Sequence, residues 1–239
     1  IMTEGVSGSK VCVVAGVGPG NGAALVRRFA SEGYAVAMFA RSPATMGMLA
    51  EESPQARAYV VDLMQPDDIK AALEKVQSDL GPVDVLVYNA GNAVWGSVLE
   101  VSDQDFEALW RVNALGAIAA SRFVLNSMIS RGAGQIVFVG ATASRRGGPK
   151  SAAFAPAKAA QRSLAESLAR SYGPLGVHVS LVIVDGAIDE PRSRSALSDK
   201  AESFFIQPDH VAATVFYLTQ QSRSAWTFEL DIRPFGEKW

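Results

Sequence analysis

Four glycines fall within seven positions directly after the first apolar run of the chain. Residues 16–22 read Gly-Val-Gly-Pro-Gly-Asn-Gly, and an amphipathic segment follows. Glycines at a strand-to-helix turn let the main chain approach a pyrophosphate, and the helix start supplies free N–H groups and positive potential. The spacing therefore predicts a dinucleotide cradle made by Gly16, Gly18, Gly20, Asn21 and Gly22. The alternative is a tight turn with a structural role only.

An arginine stands about 20 residues beyond these glycines, at the end of the second apolar run. The run closes with Ala40 and is followed by Arg41. An acid at this place would bond the ribose 2′-hydroxyl of NAD, whereas an arginine can pair with the 2′-phosphate of NADP. Arg41 thus favours NADP(H) as cofactor, with NAD(H) as a second choice. A solvated surface arginine is the alternative.

Short apolar runs alternate with longer amphipathic runs along the chain, which is typical of a parallel sheet covered by helices. The pattern predicts strands at 10–15, 35–40, 56–61, 83–89, 135–140, 178–184 and 227–231, and helices at 21–32, 43–51, 66–80, 103–130, 152–172 and 208–220. We expect one α/β domain over 1–239, a Rossmann fold with a doubly wound seven-stranded parallel sheet and helices on both faces. The longest irregular stretch, 185–207, is typical of a lid or binding loop.

Composition limits the classes of partner and location. The chain has 239 residues, 49% of them hydrophobic, a net charge of −2 and a single cysteine, Cys12. This balance favours neither nucleic acid nor an anionic membrane as a partner, and one cysteine cannot form an intramolecular disulfide. No apolar run approaches the ~20 residues that span a bilayer. We therefore expect a cytoplasmic protein, and no residue cluster has the spacing of a metal site.

Five motifs in the expected order resemble the short-chain dehydrogenase/reductase family over nearly the whole chain. They are the glycine turn, an acid after the third strand, Asn-Ala-Gly after the fourth, an asparagine in the long helix and a lysine in the next helix. The positions are Gly16, Gly20, Gly22, Asp62, Asn89, Ala90, Gly91, Asn113 and Lys158, with Gly186 in the later loop. The resemblance implies that Asp62 bonds the adenine amino group and that Gly186 and Ile188 lie at the nicotinamide. It further implies that Asn113 holds a water contacting Lys158, and that Lys158 holds the nicotinamide ribose.

The catalytic positions depart from the family. Phe154 stands where the family has its proton-donating tyrosine, Ala141 where it has its serine, and Asp185 where it has a proline. Carbonyl reduction needs a proton on oxygen, and losing a general acid or an oxyanion donor costs a factor of about 10²–10⁴ in rate. The chain thus resembles a divergent bacterial branch. Two functions follow from this pattern, an oxidoreductase for a small carbonyl or alcohol with an altered proton path and a catalytically silent dinucleotide-binding protein. A sugar epimerase or enoyl reductase is a further option.

Substitute groups are available near the altered positions. Asp185 is the leading replacement acid, with loop capping as its alternative; Thr142, Ser144, Asp189 and Glu190 are others. Arg145, Arg146 and Lys150 either attract an anionic substrate or form a solvated cluster. Trp95 lines the pocket or packs in the core. The resemblance also implies a homodimer or homotetramer in which the helices predicted at 103–130 and 152–172 pair across a two-fold axis.

Overall fold

A seven-stranded sheet runs through the residues that the computed structural model describes, 8–236. Its strands are β1 Val11–Ala15, β2 Ala35–Ala40, β3 Ala56–Val60, β4 Val83–Tyr88, β5 Gly134–Ala141, β6 Val177–Val184 and β7 Glu229–Ile232. Their order is β3-β2-β1-β4-β5-β6-β7, and every neighbouring pair is parallel. The order reverses between β1 and β4, which opens a crevice at their carboxyl ends. The predicted fold class is confirmed. The predicted domain, 1–239, includes terminal residues outside those described.

Burial along the strands explains why they form this sheet. The inner strands β1 and β6 are buried along their whole length; β1 reads Val-Cys-Val-Val-Ala, and β6 is apolar except for the buried His178 and Ser180. Strands that helices cover on both faces typically have nearly continuous apolar sequence. The edge strand β3 buries only Ala56 and Tyr59 of its five residues, and β7 is only partly buried.

Helices cover the two faces of the sheet and enclose separate apolar cores. The helices are α1 Asn21–Ser31, α2 Pro43–Glu52, α3 Pro66–Leu80, α4 Asp103–Trp110, α5 Gly116–Arg131, α6 Phe154–Tyr172, α7 Pro191–Ala196 and α8 Pro208–Thr219. Helices α1, α2 and α8 pack on one face around residues such as Phe29, Met46 and Val215. Helices α3, α5 and α6 pack on the other, around residues such as Leu73 and Leu168. Both layers leave the carboxyl ends of the strands accessible.

The structure changes two of the predicted elements. The helix predicted at 103–130 consists of α4 and α5 joined by a π-helical segment, Arg111–Leu115, which contains Asn113. A π turn inserts one extra residue and often marks a functional site, and hydrophobic periodicity does not reveal it. The stretch predicted as irregular, 185–207, contains α7, whose first residue is Pro191. Proline at a first helical position is a start signal that the sequence interpretation missed here.

Among residues 8–236 there is one helix with the length and composition of a membrane span, Asp103–Arg131. Half of its most apolar window is buried against the rest of the protein, which is how a core helix behaves. Arg111 and Arg122 interrupt its apolar sequence, and the expectation that no membrane is a partner stays a prediction. Within the same described range, no group of three or more His, Cys, Asp and Glu residues could hold a metal ion.

Candidate active site

The glycine turn lies tightly against the end of β4. Gly16 has a φ of 97°, and a Cβ built on it would lie 2.5 Å from the Cα of Ala90. The side-chain amide of Asn89 donates to the Gly16 carbonyl at 2.7 Å. A Cβ on Gly22 would lie 2.7 Å from that same carbonyl oxygen. Only glycine fits at these two places, and their contacts hold the start of α1 at the crevice.

A cleft of about 840 Å³ runs along this crevice. It is lined by eleven residues that the sequence had assigned to cofactor binding: Gly16, Gly18, Gly20, Asn21, Gly22, Arg41, Asp62, Asn89, Ala90, Gly91 and Ile188. Residues as far apart in the chain as Gly16 and Ile188 meet in this cleft, because parallel strands end at the same edge of the sheet. Gly186 is different. It packs against Pro234, whose Cδ would lie 2.8 Å from an added Cβ, and its contact with a nicotinamide stays a prediction.

The cleft fits a dinucleotide at several points. The carboxylate of Asp62 accepts from the Met64 amide at 3.0 Å and keeps further acceptor capacity at one end. Arg41 is exposed on the same wall, and no described residue bonds or pairs with its guanidinium. The start of α1 carries no side-chain cap and no acid in its first turn. A phosphate-binding helix start requires main-chain amides that no side chain occupies.

A hydrogen-bonded chain joins Lys158 to Asn113 through a residue that sequence reasoning missed. The buried Lys158 ammonium nitrogen donates to the Val139 carbonyl at 3.0 Å and to the Gln161 side-chain oxygen at 3.1 Å. The amide nitrogen of Gln161 donates in turn to the main-chain carbonyl of Asn113 at 3.1 Å. Gln161 therefore stands between the two groups that were expected to share a water. Its only sequence signal is a polar residue three positions after Lys158, on the inner face of α6.

Lys158 and Asn113 lie beneath Gly91 rather than in the lining of the cleft. A Cβ on Gly91 would lie 3.2 Å from Lys158 Nζ and 3.2 Å from Asn113 Oδ1. That Asn113 oxygen is buried without a hydrogen-bond partner in the described structure. A buried acceptor of this kind is costly unless a donor reaches it. The contact of Lys158 with a bound ribose stays a prediction.

Burial lowers the pKa of Lys158 from its ordinary value near 10.5 to about 7. The cause is desolvation, because an ammonium group loses its hydration among apolar neighbours while its two acceptors are neutral. Near neutral pH this lysine therefore exchanges between its charged and uncharged forms.

The position of the missing tyrosine is part of an apolar wall. The rings of Phe154 and Trp95 meet edge to face with centroids 5.5 Å apart. Phe154 also packs on a small cluster formed by Leu109, Ala153 and Ala157. Trp95 lies outside the cleft lining and is 63% exposed, so it covers Phe154 instead of filling the core. No group that donates a proton stands at this position.

The hydroxyls near Ala141 are engaged elsewhere. The Ser144 hydroxyl oxygen accepts from the Ala141 amide at 3.1 Å, which closes a short 3₁₀ turn. The Thr142 hydroxyl donates to the carboxylate of Asp185 in a short hydrogen bond. Neither hydroxyl lines the cleft in place of the lost serine.

Asp185 is surrounded by cations and ties β6 to β7. Its buried carboxylate lies 3.7 Å from a guanidinium nitrogen of Arg146 and 3.7 Å from one of Arg233. Its amide donates to the Ile232 carbonyl at 2.8 Å. The structure thus supports the capping alternative for Asp185 through an ion-paired carboxylate, and its use as a proton donor stays a prediction.

Arg145 is likewise taken up by ion pairs. Its guanidinium lies 2.8 Å from Glu229 and 2.9 Å from Asp231, and Glu229 also binds Arg162 at 2.5 Å. Arg145 therefore serves the junction between the β5 loop and β7. An anionic substrate would have to compete with two carboxylates for it.

The matched family confirms the resemblance. Residues 10–201 match the model described as short chain dehydrogenase, and the chain belongs to this family. It is 29% identical to the L-xylulose reductase of Bos taurus over 90% of this chain and 91% of that protein. It is 32% identical to a short-chain dehydrogenase from Rhodopseudomonas palustris, with a TM-score of 0.82 over 95% of this chain and 99% of the other.

A further solved structure resembles the chain together with a bound dinucleotide. It is an alcohol dehydrogenase from the archaeon Thermococcus sibiricus complexed with 5-hydroxy-NADP, 26% identical, with a TM-score of 0.87 over 96% of this chain and 98% of the other. The family and these relatives support an enzyme of the oxidoreductase class that binds a nicotinamide cofactor. They differ in substrate from one another.

Replacing Lys158 by methionine should change how stability depends on pH. Between pH of about 7 and 10.5 the unfolded chain holds a proton on Lys158 that the folded chain lacks, so the wild type gains stability as pH rises. The methionine variant lacks this gain. The free energy of unfolding is measured with denaturant at pH 6, 8 and 10. We expect the value for Lys158→Met minus the value for wild type to increase as pH falls, by at most about 1.4 kcal/mol per pH unit. Lys70→Met, on an exposed ion pair, should show no such slope.

Replacing Asp185 by asparagine should weaken the fold at the β6–β7 junction. The change keeps the size of the side chain but removes the charge that pairs with Arg146 and Arg233. We expect a loss of about 1–3 kcal/mol in unfolding free energy, measured by urea unfolding, and no loss in Asp199→Asn, whose side chain is exposed. Unchanged stability together with abolished turnover would instead establish Asp185 as the proton donor.

Proposed function

We propose that this protein is an NADP(H)-dependent oxidoreductase acting on a small carbonyl or alcohol, with a proton path that does not use residue 154. The observation that carries the proposal is the cleft, because the glycine turn, Arg41 and Asp62 line one continuous space at the reversal of strand order. NAD(H) is the alternative cofactor. The bound cofactor would supply hydride transfer, the chemistry of the family.

Each part of the cleft has a distinct task in this proposal. The start of α1 receives the pyrophosphate on its main-chain amides. Asp62 accepts a hydrogen bond from the adenine amino group, and Arg41 pairs with the 2′-phosphate. Gly91 and the wall behind it lie toward the reacting end, where Lys158 and Asn113 are covered. Phe154 and Trp95 add an apolar surface beside that end.

A second function, a catalytically silent dinucleotide-binding protein with a sensor or scaffold role, rests on a different observation. Near Gly91, Phe154 has no proton to transfer and packs on Trp95. The ammonium group of Lys158 is buried and donates a hydrogen bond to Gln161. Such a protein would keep the cradle and lose turnover. Both functions use the same cleft to bind a dinucleotide, and they differ in whether a substrate is turned over.

Assembly and location complete the proposal. We expect a homodimer or homotetramer with a small-molecule substrate, in the cytoplasm, without nucleic acid or membrane as partner. Phe106 and Trp110 on α4 are 45% and 43% exposed. Two large apolar side chains on one helix support contact with a second copy along the helices predicted to pair, 103–130 (α4 and α5) and 152–172 (α6).

Titration calorimetry should show tighter binding of NADPH than of NADH. The difference comes from the Arg41 guanidinium, which a 2′-phosphate can pair with and a hydroxyl cannot. Arg41→Asp should erase or reverse the preference. Arg170→Asp, an equal charge change on an exposed part of α6, should leave both affinities as they are. Equal affinity of wild type for the two cofactors would refute the role of Arg41.

Restoring the missing hydroxyls should raise turnover. Phe154→Tyr combined with Ala141→Ser returns a general acid and an oxyanion donor, each worth about 10²–10⁴ in rate, and their effects need not add because they act on one transition state. NADPH oxidation would be followed over a panel of ketones and aldehydes. Phe235→Tyr, which adds a hydroxyl at a 96% exposed site, is the control. A double variant that binds NADPH yet stays inert on every substrate would favour the silent protein.

A further inference from the structure

The side chain of Glu190 lies against the phosphate end of the cleft. A Cβ built on Gly20 would lie 2.7 Å from Glu190 Oε2, 3.2 Å from Glu190 Cβ and 3.6 Å from Glu190 Cδ. The whole side chain, from its first carbon to its carboxylate, therefore packs over the glycine turn. Glu190 comes from the loop before α7, and Gly20 is the residue that caps α1.

This carboxylate stands where the helix favours an anion. The start of α1 carries roughly half a positive charge from its aligned peptide groups. Helix α1 supplies neither a side-chain cap nor an acid of its own in the first turn. Glu190 brings a negative charge to that end from a distant part of the chain.

Glu190 differs from the other acids of the cleft. Four charged residues line it, Arg41, Asp62, Asp105 and Glu190. Asp62 is bonded to the Met64 amide and Asp105 to the Ser102 hydroxyl. Among the described residues, none forms a hydrogen bond or ion pair with the Glu190 carboxylate. Of the three acids that line this cleft, Glu190 is thus the one whose carboxylate has no hydrogen bond or ion pair with a described residue.

The loop beside Glu190 is held by hydrogen bonds, whereas the Glu190 carboxylate has no polar partner among the described residues. Asp189 binds Arg194 at 2.6 Å and Gln207 at 2.9 Å, and Ile188 pairs with Ile206 in an isolated bridge. These contacts anchor the loop next to the cleft. Withdrawal of the Glu190 carboxylate from Gly20 therefore needs only rotation of its own side chain.

We propose that Glu190 limits the affinity of this protein for dinucleotides by competing with the pyrophosphate for the start of α1. The inference rests on the proposed function, because it concerns the same cleft. In the free protein the carboxylate occupies the anion-favouring end of the helix. On binding it must leave, and it stays close enough to repel the incoming phosphates.

The effect has a chemical signature that separates it from the role of Arg41. Arg41 distinguishes NADPH from NADH, whereas both cofactors carry the same pyrophosphate. Removing the charge of Glu190 should tighten both to the same degree and leave their ratio unchanged. ADP-ribose, which has the pyrophosphate but no nicotinamide, should gain equally, and adenosine, which has no phosphate, should not gain.

The experiment compares wild type with Glu190→Gln and Glu190→Ser by titration calorimetry with NADPH, NADH, ADP-ribose and adenosine. Glutamine keeps the shape of the side chain, and serine is a good cap for α7. We expect about tenfold lower Kd values for the three pyrophosphate ligands in both variants. Glu202→Gln, a carboxylate of the same loop outside this cleft, is the charge-matched control and should match the wild type.

The possible outcomes separate this inference from the proposed function. Binding by the variants with wild-type Kd values, or a gain for NADPH alone, would overturn the role of Glu190 and leave the proposed function standing. Binding that is measurable only in the Glu190 variants would support the inference most strongly. Absence of dinucleotide binding in wild type and in both folded variants would overturn the proposed function and this inference together. Thermal unfolding of each variant verifies that it is folded.

Discussion

The close contact between the glycine turn and the end of β4 organises this protein. Gly16 approaches the Ala90 main chain to a distance that excludes any Cβ, and Asn89 bonds across the gap. This contact fixes the start of α1 next to the reversal of strand order, where parallel strands leave a crevice. Arg41, Asp62 and Gly91 then follow as neighbours of the same space. Without glycine at these positions the main chains could not approach, and the cleft would lose its floor.

The two halves of the site are preserved to different degrees. The half that would hold a dinucleotide keeps its glycines, its acid and its open helix start. In the half that would move a proton, Phe154 and Ala141 stand where the family resemblance implies hydroxyl-bearing residues. Phe154 packs on Trp95, and Gln161 links Lys158 to Asn113. A buried lysine whose neighbours are neutral acceptors loses much of its preference for the charged form, which makes its protonation sensitive to conditions near neutral pH.

Charges near the substrate side are largely used within the protein. Asp185, placed where the family has proline, pairs with Arg146 and Arg233, and Arg145 pairs with the acids of β7. These ion pairs connect the β5 loop, β6 and the C-terminal strand. Such pairs are expensive to desolvate, and they persist when the surrounding hydrogen bonds are complete. Glu190 is different because its carboxylate has no such partner among the described residues, and this difference is the basis of its proposed role in binding.

The sequence by itself determined the class of fold, the positions of the seven strands to within a few residues, and eleven of the residues that line the cleft. These features depend on local signals: apolar runs of strand length, glycines at one turn, and an arginine at a fixed distance beyond them. Only the tertiary structure decided which side chains meet. The π-helical turn at Asn113, the bridge through Gln161 and the position of Glu190 over Gly20 join residues up to 170 positions apart. Such contacts follow from the packing of α6 and the α7 loop against the sheet, and periodicity along the chain carries no record of them.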